Sequence, residues 1–154
     1  MVAKVGDSRA YLLRNQILSQ LTLDKCYFTS RDSLKYSKRM QMALAQATDL
    51  SQLNSQEQLA FRYQNLIDGY LGQNNNQPEI SVEGFDLQKD DCLVLTSDGV
   101  HDNLTNQEME VILQQKTPLD MSINSLITAA VRRSQDRSHL RAKPDDMTAV
   151  AIRL

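Results

Sequence analysis

The stretch that decides the fold is Asp91-Cys92-Leu93-Val94-Leu95-Thr96-Ser97-Asp98-Gly99-Val100-His101-Asp102, continued by Asn103-Leu104-Thr105-Asn106-Gln107-Glu108. The apolar run from Cys92 to Leu95 has the length and composition of a buried strand. It runs into Thr96-Ser97-Asp98-Gly99, a tight turn that carries one acid, and a second acid follows at Asp102. Thr105 and Glu108 stand in capping-box spacing and predict the start of a helix. A strand that ends in a turn and a helix start fixes its carboxylates in place while the loop exposes them, which suits binding or catalytic groups.

Working outward, Val2–Gly6 reads as a short strand leading into Asp7-Ser8-Arg9. Ala10–Arg14 and Ile17–Leu21 read as a hairpin closed by Asn15-Gln16. Met40, Leu44 and Ala47 are spaced for one face of a helix from Ser33 to about Thr48. Ser55 and Gln58, in capping-box spacing, predict a second helix with Leu59, Tyr63, Leu66, Ile67 and Tyr70 as a core-packing stripe, ended by Gly72. Asn74–Pro78 is loop by composition, and Glu79–Glu83 alternates like a half-buried strand. Beyond the central stretch, helices are expected over Glu108–Gln115 and from near Asp120 to Ser134. A loop over Gln135–Pro144 and a strand over Met147–Leu154 complete the pattern. This is an α/β chain of the α+β type, and the hairpin favours an antiparallel sheet.

Composition narrows the function classes. The 154 residues are 41% hydrophobic and 23% charged, enough for one domain with a real core. A net charge of −2, from 17 basic and 19 acidic residues, makes no electrostatic case for nucleic acid or an anionic membrane. No apolar run approaches the roughly 20 residues that span a bilayer, and the first residues, with a short apolar stretch and an immediate strand pattern, do not read as a signal peptide. Cys26 and Cys92, far apart and in apolar contexts, read as buried free thiols in a reducing cytoplasm rather than a disulfide or zinc site. The sequon at Asn103-Leu104-Thr105 carries no weight without a secretory signal.

Three times an acid sits where an apolar strand meets a turn: Asp7, then Asp98 with Asp102, then Asp145-Asp146. One such Asp is ordinarily a helix cap or an Asx-turn. Three strand ends that converged would need a counter-charge, because two carboxylates about 4 Å apart repel by roughly 4 kcal/mol at an effective dielectric of 20. Lysines could supply that charge, but the basic residues do not track the acids along the sequence. Hard divalent cations such as Mg²⁺ or Mn²⁺ suit an all-oxygen site.

These residues also carry a family resemblance. Val5-Gly6-Asp7-Ser8-Arg9-Ala10-Tyr11-Leu12, Thr96-Ser97-Asp98-Gly99-Val100-His101-Asp102 and Asp145-Asp146-Met147-Thr148 resemble successive motifs of the PPM (PP2C-type) metal-dependent protein serine/threonine phosphatases. The likeness implies an antiparallel β-sandwich flanked by helices, with a flap-like helical segment at about residues 30–72. It implies hydrolysis of phosphoserine and phosphothreonine in proteins by water activated at Mg²⁺ or Mn²⁺. Two ions are implied, with a third, weaker position. Asp98 matches a ligand of the binuclear centre, Asp145 a ligand of its second metal, and Asp7 and Asp102 line the third position. No side-chain nucleophile is implied. Gly99 would let the backbone turn tightly there, and Arg9 would brace the hairpin rather than bind phosphate.

The sequence also departs from that pattern. It holds no Asp-Gly-x-Gly-Gly motif, whose aspartate bridges both metals in the family, and no counterpart of the phosphate-binding arginine that precedes it. Residues 1–154 are thus expected to be the C-terminal portion of a single PP2C-like domain, N-terminally incomplete, with a strand edge left bare. Asp146 stands where Asn is usual, and His101 where an aromatic, often Trp, is common; His101 reads as a packing substitute. The alternative is a non-catalytic PP2C-like module that binds or regulates partners.

Overall fold

The computed structural model describes residues 1–25, 38–67, 69–72, 78 and 80–154. Cys26, the first turns of the helix expected from Ser33, and most of the Asn-rich loop lie outside the described residues.

The central run forms β5, Cys92–Thr96, once β1 (Val2–Lys4), β2 (Arg9–Arg14), β3 (Ile17–Gln20) and β4 (Ser81–Glu83) have preceded it. The last strand is β6, Ala149–Arg153. β5 lies between β2 and β6 in a sheet of order β3-β2-β5-β6, antiparallel throughout. β1 leaves this sheet and pairs antiparallel with β4. The two sheets and their helices bear out an α+β chain with antiparallel strands. The hairpin closes at Arg14↔Ile17, with Asn15 and Gln16 both at positive φ, 50° and 63°. Both central residues at positive φ match the right-handed twist of the flanking strands.

Register assigns the two faces of the sheet. Tyr11, Leu13, Cys92 and Val94 point into the core with Ala149 and Ala151 beside them. Leu95, Val150 and Ile152 point the other way and are exposed by 40%, 51% and 56%. The outer face is thus apolar and open along β5 and β6, while Ala10 and Leu12 on the same face of β2 are buried. Among the described residues β6 pairs with β5 alone and β3 with β2 alone, so these two strands are the edges of this sheet.

The core side is covered by helices. Label α1 Lys38–Gln46, α2 Ser55–Arg62, α3 Asp98–His101, α4 Asn106–Leu113 and α5 Leu119–Gln135. α4 buries Met109 and Leu113, and α5 buries Leu126 and Ala130 against the same cluster. Met109, Leu113 and Leu126 each contribute about 1.5–3 kcal/mol by this burial. The capping box expected at α4 is present: Thr105 Oγ1 accepts from the Glu108 amide at 3.1 Å, and the Thr105 amide donates to Glu108 Oε2 at 2.8 Å.

Two local expectations fail around α2. Its cap is Asn54 with Glu57, not Ser55 with Gln58, because Asn54 Oδ1 reaches the amides of both Gln56 and Glu57 at 3.0 Å. Gln58 instead turns its amide to the carbonyls of Leu50 and Leu53. The helix also stops at Arg62, so Tyr63, Leu66, Ile67 and Tyr70 do not form a buried stripe; they are exposed by 44–57%. Ala60 is what α2 buries, in a second small cluster with Met40, Leu44, Ala47 and Leu53. The spacing is helical, but among the described residues the helix runs only over Ser55–Arg62 and buries Ala60.

Candidate metal centre

The turn after β5 is held against the segment before β6. The Ser97 amide donates to the Thr148 carbonyl at 3.0 Å, and the Thr148 amide donates to Ser97 Oγ at 3.0 Å. Gly99 sits inside this clasp at the start of α3. Its role differs from the tight-turn role expected, since its φ is not in the left-handed region. A Cβ there would stand 2.3 Å from the Asp146 carbonyl oxygen and 3.0 Å from its carbon. Glycine is required by the approach of a second backbone, and that approach brings Asp145 and Asp146 to Asp98.

Asn103 completes the frame. Fully buried, it donates from Nδ2 to the carbonyls of Gly99 (2.8 Å) and Lys143 (2.7 Å), and accepts from the Lys143 amide at 3.0 Å. The sequon asparagine is thus a structural clamp. What it clamps is Lys143, whose Nζ lies 2.8 Å from Asp98 Oδ2, 2.8 Å from Asp102 Oδ2 and 3.5 Å from Asp145 Oδ2. The acids do converge, and a basic residue does track them in space. The sequence reading missed Lys143; its one signal was its place two residues before Asp145.

Electrostatics follow from this layout. Burial works against the Lys143 charge, but the charges and hydrogen bonds of Asp102 and Asp98 outweigh it and hold the ammonium above its usual range. Asp7 makes no ion pair with the lysine but feels the charges of Asp98 and Asp102. Burial, then the charges of Asp98, Asp24 and Asp102, push its carboxyl up to about 6. One ammonium therefore leaves negative charge unmet in the cluster.

The remaining polar residues brace the site. Arg9 is buried and pairs with Asp24 through Nε (2.9 Å) and a terminal nitrogen (2.7 Å), and it also reaches the Tyr11 hydroxyl at 3.3 Å. This is the bracing role read from sequence, with Asp24 as the partner it did not name. His101 is buried with Nδ1 2.8 Å from Thr96 Oγ1, and burial followed by the charges of Arg9 and Arg141 holds its pKa well below the usual value. A neutral, enclosed imidazole fills space and orients; it has no proton to offer near neutral pH. Arg141, equally buried, donates to the carbonyls of Leu44 (2.8 Å), Ala47 (3.0 Å) and His101 (2.8 Å). It ties the end of α1 to α3, so the helical segment before α2 is anchored at the acid cluster.

The chain matches no protein-family model. It is 29% identical over 130 residues to a serine/threonine phosphatase Stp of Listeria monocytogenes, covering 84% of this chain and 45% of that protein. It is 28% identical over 153 residues to a probable protein phosphatase 2C of Arabidopsis thaliana, covering 99% and 50%. The Streptococcus agalactiae serine/threonine phosphatase superposes with a TM-score of 0.67 at 26% identity, over 99% of this chain and 53% of that one. The chain has the PP2C-type phosphatase fold. It resembles the PPM family across nearly its whole length, and it spans about half the length of the curated relatives it matches. Another chain of PP2C-type fold, the catalytic domain of the phosphatase PstP, was solved in complex with two manganese ions; the TM-score is 0.61 at 24% identity, over 97% of this chain and 50% of that one.

Against that background the donor set can be tested for a metal. The four carboxylates supply hard oxygen only, and the unmet charge at Asp7 is what a divalent cation relieves. In chemistry they fit Mg²⁺ or Mn²⁺. In position the described residues are set around an ammonium: no three of their His, Cys, Asp or Glu side chains are grouped to hold an ion as they stand.

Proposed function

We propose that this chain is the C-terminal portion of a Mg²⁺- or Mn²⁺-dependent protein serine/threonine phosphatase domain acting in the cytoplasm on phosphoserine and phosphothreonine in proteins. The segment at about residues 30–72 is its flap. The observation that carries the reading is the convergence of Asp98, Asp102 and Asp145 on one point, with Asp7 within range of the charges of Asp98 and Asp102. Asp98 and Asp145 would hold the two catalytic ions, and Asp7 and Asp102 a third, weaker one. Bound ions of this kind activate water and stabilise charge in an in-line displacement. The chain's own work is positional. The Ser97–Thr148 clasp and Gly99 keep Asp98 and Asp145 in register, and Asn103 fixes the loop between them.

The test is a chimera in which these 154 residues replace the matching half of the Listeria phosphatase. Mn²⁺-dependent release of phosphate from a phosphothreonine peptide, lost on Asp98→Asn and on Asp145→Asn, is expected. A folded chimera that binds Mn²⁺ without turnover contradicts the reading and favours the non-catalytic module, for which the lysine among the acids speaks.

A further inference from the structure

Lys143 has no part in the roles proposed above, yet it makes three contacts with candidate ligands, more than any other side chain. Its position is built. Both hydrogen-bonding groups of its backbone are taken by Asn103, so the chain enters the acid cluster at a fixed point. From there the side chain reaches Asp98 Oδ2 and Asp102 Oδ2 at 2.8 Å each, the distance of charge-assisted hydrogen bonds. The side chain is 22% exposed, which leaves its tip a path to solvent along a flexible four-carbon stem.

We propose that Lys143 is a tethered cation that holds the metal-binding carboxylates together when the site is empty and competes with divalent ions for Asp98, Asp102 and Asp145. The proposal rests on the metal reading of these acids given above. A divalent ion and an ammonium cannot share the same carboxylate oxygens at these distances without strong repulsion. Entry of the ion therefore requires Nζ to leave, and the lysine sets both the metal-free stability of the cluster and the concentration of ion needed to fill it. With no lysine, the acids would repel in the empty state and bind a dication more tightly.

The experiment compares the 154-residue chain with its Lys143→Met variant by calorimetric titration with MnCl₂ alone and by thermal unfolding in chelator. The variant is expected to bind Mn²⁺ at least tenfold more tightly, and to melt lower in chelator while recovering the deficit in excess Mn²⁺. Equal or weaker binding by the variant overturns the proposal and leaves the metal reading intact. Failure of both proteins to bind Mn²⁺ overturns the two together. Should the variant not fold, amine labelling of the unaltered chain, read by mass spectrometry, decides: millimolar Mn²⁺ must increase modification of Lys143. Unchanged or decreased labelling overturns the proposal.

Discussion

Replacing Gly99 by alanine probes the clasp on which the acid cluster depends. The added Cβ would meet the Asp146 carbonyl oxygen at 2.3 Å, and 3.4 Å is where ordinary contact begins, so the Asp146 backbone must retreat by about 1 Å. Backbone cannot rotate away as a side-chain tip can. Retreat strains the three hydrogen bonds between Ser97 and the Asp146–Thr148 segment, at 3.0, 3.0 and 3.3 Å. Each contributes about 1 kcal/mol net, and overpacking itself costs typically 1–3 kcal/mol. A loss of about 2–4 kcal/mol is expected in urea unfolding. Gly84→Ala is the control, because its Cβ would meet nothing within 4 Å and its φ is not positive; it should be neutral or slightly stabilising. A Gly99→Ala loss below 0.5 kcal/mol, or equal effects at the two sites, would refute the reasoning.

Other outcomes follow from the same contacts. Arg9→Leu strands Asp24, which is 6% exposed, without its bidentate partner, and should cost about 3–5 kcal/mol in the same assay; a loss under 1 kcal/mol contradicts the bracing role. Asp7 has a folded pKa of about 6 against about 3.9 unfolded, so between pH 4 and 6 the folded chain binds the extra proton and stability falls as pH rises. In chelator, Asp7→Asn should therefore match the unaltered chain near pH 4 and exceed it at pH 7.5 by about 1–2 kcal/mol, allowing for solvent screening at this half-buried group; a gain independent of pH disproves the assignment. Arg141→Met leaves three carbonyls without their donor, and hydrogen exchange should rise in α1 and its C-terminal turn before it rises in β5. Unchanged protection of α1 would show that Arg141 does not anchor it.

The legible parts were those where local pattern and tertiary need agree. The β5 run, the Asn15-Gln16 hairpin, the Thr105–Glu108 box and the long α5 each have a packed face as well as a local signal. The stripe from Leu59 to Tyr70 shows the converse. Its period is helical, but past Arg62 its side chains are left exposed, and helical spacing alone does not stabilise a short helix. At the site, the acids were visible because strand ends announce themselves. Lys143 was not, because its meaning lies in Asn103, 40 residues away, which holds its backbone. Gly99 reads in the sequence as a turn residue, whereas glycine is required there by the approach of Asp146, a long-range contact that no local window contains.

The central claim is that Asp7, Asp98, Asp102 and Asp145 line one metal centre of two ions and a weaker third, and its most direct measurement is paramagnetic broadening of backbone amide signals by Mn²⁺. Stepwise addition should first broaden the amides of Asp7, of Asp98 to Asp102 and of Lys143, Asp145 and Asp146, and spare α5 and the Asn15-Gln16 turn. Broadening that begins elsewhere, or none at millimolar Mn²⁺, would contradict the account.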